Sequence, residues 1–422
     1  MVLTSCRFNG SMRNTLLSLL VLAAGCGSSP LATPLTTSTT ATPGSSTFVL
    51  TTTSAIPQTT TTYGHGLVGD HDITEAILTN TSPDCADYNV TLRATVIDLT
   101  RQVMFNSGVS LETGGTTCTL TSNNIPNHDF NDASAHFATD VSEQSQVFEL
   151  IRDPQRSSQL NALTQATYDG VLLNGVPIDL LSAGCYRPDD PMANHEGIVP
   201  IGCAATEPWL ANPLGTEDSF GADTHNAHTQ PDGTYHYHGN PEALFDDQPG
   251  PDGSPVIGFA ADGFPIYGSY FLDSATGQVR KALSSYVLKS GQRPGGSENP
   301  SGIYDGTYYD DYQFSDQAGD LDQCNGMVVN GQYGYYVTDA FPYLMFCLWG
   351  TVDASFDKNQ GGGVPGGEVE EPAGFAEAAA TLGVTLAELQ AALGPPPPNL
   401  EAAASTLGVT VAELQAALPP PP

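Results

Sequence analysis

Helical periodicity is scarce from about Tyr63 to Gly350, and this limits the fold more than any other feature of the sequence. Strand-like runs such as "VTLRATVIDL" and "QVMFNSGV" alternate instead with clusters of Gly, Asn and Asp. One turn recurs within the span: "DGTYHYH" at 232–238, "DGTYYDD" at 305–311 and "NGQYGYY" at 330–336. Asp-Gly and Asn-Gly supply the positive backbone angles of tight hairpin turns, and aromatics then enter a strand. A shorter echo pairs "NGVPID" (174–179) with "DGFPIY" (262–267). The pattern predicts a mostly β, turn-rich fold in two parts, a β-rich region over 63–169 and a second domain over 170–352.

The flanks have a different character. Arg7 and Arg13 precede the apolar run "LLSLLVLAAG", which ends at Cys26. A basic start, a short apolar core and small residues before a cut site describe an export signal over 1–26. "LAAGC" also resembles a bacterial lipobox, which would make Cys26 the lipidated first residue of the mature chain; the alternative is ordinary signal-peptide cleavage with Cys26 incidental. Residues 27–62 are almost all Ser, Thr, Pro, Ala and Gly, a composition for a tether. The expected setting is therefore export and lipid anchoring at the cell envelope, with the membrane as partner through the anchor. At the other end, a Gly/Pro/Glu linker (353–371) leads to two helical-hairpin repeats (372–422). "AAATLGVTLAELQAAL" (378–393) returns 25 residues later as "AAASTLGVTVAELQAAL" (402–418), each with a capping box, Thr385 with Glu388 and Thr410 with Glu413. This short α-helical tail suits packing or a protein partner.

Export sets the redox context for the cysteines. With Cys6 removed and Cys26 assigned to lipid, six remain: Cys85, Cys118, Cys185, Cys203, Cys324 and Cys347. An even number in an oxidising compartment points to disulfides, and no CxxC pair supports a thiolate metal site. Sequence neighbours (85–118, 185–203, 324–347) close short loops within one segment and are the expected pairs. Charge narrows the partners further. Lys and Arg total 12 against 46 Asp and Glu, a formal net charge of −34, and no cation follows Lys358. Such a surface repels phosphate, so nucleic acid is excluded as a partner.

Four of the nine histidines crowd into "THNAHTQPDGTYHYHG", residues 224–239. Residues two apart on a strand share a face, so His236 and His238 project together while Tyr235 and Tyr237 face the other way. His225 and His228, before the "QPDG" turn, can fold back against that strand. Four converging imidazoles suit copper or zinc, with Asp223 as a further oxygen ligand or as a partner orienting a ring. The plainer alternative is a set of half-buried histidines bonded to backbone and carboxylates. No GxSxG, HExxH or phosphate loop offers another chemistry.

These residues also carry a family resemblance. "LGTEDSFGADTHNAHTQPDGTYHYHGNPEAL", "VIGFAADGFPIYGSY", "YDGTYYDDYQF" and "YGYYVTDAFPYLMFCLWGT" follow one another as in the YHYH-domain proteins, and the resemblance covers roughly 170–352. It implies a secreted or surface-exposed protein and a shared role for His225, His228, His236, His238 and Asp262. Met327 follows "CNG" where the family pattern implies an Arg. Two functions compete on this basis: a surface protein that binds or delivers a transition metal, and a metal-dependent extracellular enzyme of unknown substrate with Asp262 as base. A metal-free adhesion or scaffold protein is the third.

Overall fold

The computed structural model describes residues 69–216, 219–358, 375–384, 389 and 400–418. The export signal, Cys26, the tether and most of the linker lie outside the described residues. Two sheets dominate. The first is a five-stranded meander: β1 (Asp70–Asp72), β2 (Val90–Asp98), β3 (Val103–Thr113), β4 (Thr117–Ser122) and β5 (Gln146–Ile151), antiparallel except for the β1–β2 pair. Its side chains alternate as the sequence does, with Val90, Leu92, Ala94 and Val96 inward and Arg93 and Thr95 outward. One face is therefore core and the other solvent.

The second sheet has eight strands: β6 (Gly170–Leu172), β7 (Pro177–Ile178), β8 (Ala227–Thr229), β9 (Tyr235–Tyr237), β10 (Val256–Ala260), β11 (Pro265–Tyr267), β12 (Gly326–Val329) and β13 (Gln332–Tyr336). Their spatial order is β8-β9-β7-β6-β10-β11-β13-β12. Four hairpins make it, each turning on an Asx-Gly pair: Asn174-Gly175, Asp232-Gly233, Asp262-Gly263 and Asn330-Gly331. The four glycines hold φ between +83° and +86°. In the first three turns, the residue three before the Gly donates to the carbonyl of the residue just after it, for example Gln230 N to Thr234 O at 2.9 Å. That is the geometry of a turn closed by a left-handed glycine bulge. Asn330 itself has φ +52°, so the fourth is a two-residue turn.

A Cβ on Gly175 would lie 2.1 Å from Ser122 Oγ, and one on Gly263 would lie 2.6 Å from Ile151 O. These two hairpin tips are thus seated against the first sheet. One hydrophobic core runs through both sheets, from Ile73 to Phe356. The second sheet is covered on both faces, which is why β6 and β10 are buried at every position. Disulfides join Cys85–Cys118, Cys185–Cys203 and Cys324–Cys347. Three such bridges suggest an oxidising, extracytoplasmic setting.

Helix is sparse. Short helices span Phe375–Leu382, Leu400–Leu407 and Val411–Ala417, and the Thr410–Glu413 capping box closes the last. Ala378, Ala379, Leu389, Ala403, Ala404 and Leu414 share a small apolar cluster. The first copy's box, Thr385 with Glu388, lies outside the described residues. Among the described residues no helix is long and apolar enough to cross a membrane.

Candidate metal centre

Pairing register brings three histidines to one point. His228 lies directly across from His236 in the β8–β9 hairpin, so the two share a face, and His238 follows two residues on. His238 Nε2 lies 3.1 Å from His236 Nε2 and 2.9 Å from His228 Nε2. The ring centroids stand 4.7–4.8 Å apart in all three pairs, with planes steeply inclined, as in a propeller. Tetrahedral bonds of ~2.0–2.1 Å place donor atoms about 3.3 Å apart, close to this spacing.

Protons cannot satisfy the arrangement. His228 Nδ1 donates to Phe220 O at 2.7 Å, and His236 Nδ1 donates to Thr234 O at 3.3 Å. A carbonyl oxygen only accepts, so both rings carry hydrogen on Nδ1 and a lone pair on Nε2. His238 Nε2 faces both lone pairs. If it holds a hydrogen, that hydrogen serves one neighbour and leaves the other neighbour's lone pair without a donor. If it holds none, three lone pairs meet. A cation among the three Nε2 atoms resolves either case. Burial lowers the pKa of all three, assisted at His236 by the other two rings, so they are neutral and ready to ligate near neutral pH.

His225 is not in this group. Three is an odd interval, so on extended chain His225 and His228 point to opposite faces, and the left-handed Asn226 (φ +57°) intervenes. His225 Nδ1 donates to Pro241 O at 2.7 Å, and its ring stacks on His128 with centroids 3.5 Å apart. This is the tyrosine side of the hairpin. His128 Nε2 meets Tyr237 Oη at 2.7 Å, Asn174 Nδ2 donates to the same hydroxyl at 2.9 Å, and Tyr235 Oη donates to Asp223 at 2.8 Å. Asp223 also accepts from the backbone of Asn131 and His225, so it orders this face and does not reach the triad's rings.

Asp262 is likewise elsewhere. Two strands, β7 and β6, separate β9 from β10, which places Asp262's hairpin roughly 14 Å along the sheet. Its carboxylate accepts from Tyr335 Oη and from Gly350 N, both at 2.8 Å, pinning the turn to the chain's return at 349–350. The role expected of it beside the histidines is not one this position allows.

The acidic groups that do share the triad's face are Asp179 and Asp169. Ile178 pairs with Tyr237, and Gly170 with Ile178, so the adjoining Asp179 and Asp169 fall on the histidine side. Both are buried, and Lys358 Nζ forms an ion pair with Asp179. Sequence reasoning missed these three: Asp179 was visible only as part of the "NGVPID" echo, and its face depends on a register that no local pattern encodes. Beside His238 lies a small pocket of ≈ 10 Å³, lined also by Leu180, Asn212, Tyr309 and Tyr343, about the room one water needs. A larger cavity of ≈ 460 Å³ lies elsewhere, between Tyr186, Glu196, Arg293 and Tyr308, and its Arg293 is already paired with Asp305 and Asp311.

The model of the YHYH protein family matches residues 147–350, a span that holds β5 from its second residue, the whole second sheet and the triad. Residues 147–350 form a YHYH family domain. No curated protein and no solved structure matches the chain. Within the YHYH domain the namesake Tyr235-His236-Tyr237-His238 divides its labour by parity, tyrosines to one face and histidines to the other.

Proposed function

We propose that this protein is an exported lipoprotein, anchored through Cys26, whose YHYH domain binds one transition-metal ion, copper or zinc, at His228, His236 and His238. The convergence of three Nε2 atoms that protons cannot reconcile carries this reading. The donor chemistry fits: neutral imidazoles are good ligands for both metals, and each Nδ1–H bonded to a carbonyl fixes the tautomer that ligation needs. The three rings leave a fourth position, and the adjacent cavity suits a water-sized ligand. A space of that size favours holding or delivering the metal over turning over a sizeable extracellular substrate. The test is elemental analysis of full-length protein purified without a histidine tag and dialysed against copper or zinc. About one ion per chain, lost in His236→Ala, supports the reading; no retained ion, or the same content in the variant, removes it.

A further inference from the structure

A divalent ion among three neutral imidazoles would place two uncompensated charges in a buried site. Burying unpaired charge is costly, and nearby anions are the remedy. The triad itself supplies none. The same face supplies Asp179 and Asp169, 5% and 1% exposed, one strand and two strands along from β9. Asp179 Oδ2 accepts from Lys358 Nζ and from Gln230 Nε2, which belongs to the triad's own hairpin turn. Asp179 Oδ1 is buried without a partner. Asp169 accepts from Leu180 N at 2.8 Å. Among the described residues Lys358 is the cation that pairs with Asp179, and its ammonium lies 5.2 Å from the Tyr168 ring centre. Two buried carboxylates facing one ammonium hold one proton between them.

We propose that Asp169, Asp179 and Lys358 are the charge-compensating half of the metal site, and that loading a divalent cation expels the proton the carboxylates share. The inference rests on the metal-binding reading above. One carboxyl O–H bond breaks and its proton goes to solvent. The Asp–Asp–Lys group then passes from neutral to a single negative charge beside the incoming ion. A monovalent ion gains less from that change, so the site is built for the divalent state. Tyr309, whose hydroxyl donates to Leu180 O, also faces the pair and is neutral, its pKa raised by burial and by both carboxylates. His236 and His238 are neutral already and have no proton to give up near pH 7. Burial and the neighbouring Asp179 push Asp169 up to about 8, which leaves the shared proton in place at neutral pH.

The experiment is calorimetry of Zn²⁺ binding to the full-length, tag-free chain, in buffers of different ionisation enthalpy, to count protons released. The expected result is about one proton per ion at about pH 7, falling toward none by about pH 9.5, where the pair is already ionised. Asp169→Asn should still bind zinc and release about none. Zinc binding without proton release at about pH 7 overturns the inference alone, as does unchanged release in Asp169→Asn. So does release that grows with pH, the mark of an ionising metal-bound water. Should the variant fail to fold, the wild-type pH series decides. Absence of zinc binding overturns the metal reading along with it.

Discussion

The two faces of one three-residue strand, Tyr235–Tyr237 with its continuation to His238, present opposite chemistry. On the tyrosine face each hydroxyl has partners: Asp223 for Tyr235, and His128 and Asn174 for Tyr237. That network is closed, and closed buried networks specify structure. On the histidine face the inward nitrogens have only one another. A buried polar cluster that cannot satisfy itself is the place to look for a missing ligand. Sequence proximity hides the distinction, because His225 and Asp223 sit among the same sixteen residues as the triad and belong to the other face.

The comparison breaks most directly on ligand removal. His236→Ala should weaken metal binding by more than the ~10–100-fold that loss of a supporting hydrogen bond costs, read by competition with a chelator. On the opposite face Tyr237→Phe should leave the metal in place. It strands His128 Nε2 and leaves Asn174 Nδ2 with Asn127 alone, lowering unfolding free energy by about 1–3 kcal/mol in a denaturant titration. Asp262→Asn belongs with the structural class: it replaces a carboxyl acceptor of Tyr335 and Gly350, should cost about 1–3 kcal/mol, and should leave metal affinity unchanged.

Acid sharpens the contrast. The buried His236 and His238 have folded pKa values depressed below the unfolded value of about 6.5. On unfolding they take up protons wherever the pH lies below that value. Their contribution to stability is whole above about pH 6.5 and declines as pH falls, by up to about 1.4 kcal/mol per pH unit for each ring. Buried carboxyls such as Asp169, pushed up to about 8, act in the opposite sense, so the check is a difference: a stability gap between wild type and His236→Gln that is the same at about pH 7.5 and pH 5 would contradict this. The smallest effect is His225→Ala. Loss of the stack on His128 should cost about 1 kcal/mol, with the metal content of the chain untouched.

Much of the fold was legible because the signals were local. Asx-Gly pairs marked hairpin turns at 174, 232, 262 and 330, and the alternation in "VTLRATVID" gave the buried face of β2 directly. The short loops between neighbouring cysteines likewise matched the three bridges. "DGTYYDD" shows the limit of that signal: the same tripeptide leads there into a 3₁₀ turn, Tyr309–Asp311, outside the large sheet. For the site, the HxH spacing placed His236 and His238 together by parity alone. His228 joined them through cross-strand register, and His225 departed because an odd interval reverses the face. Asp169 and Asp179 meet across the β6–β7 hairpin, but that hairpin reaches the histidines only through parallel pairing of β9 with β7, and Lys358 joins from a distant part of the chain. Nothing short-range in the chain announces that.

The most direct measurement of the central claim is the metal content of the full-length, tag-free protein after dialysis against zinc or copper, alongside His228→Ala, His236→Ala and Tyr237→Phe. The account predicts about one ion per chain in the wild type and in Tyr237→Phe, and close to none in either histidine variant. A wild-type chain that retains no ion, or histidine variants that retain as much as the wild type, would contradict it.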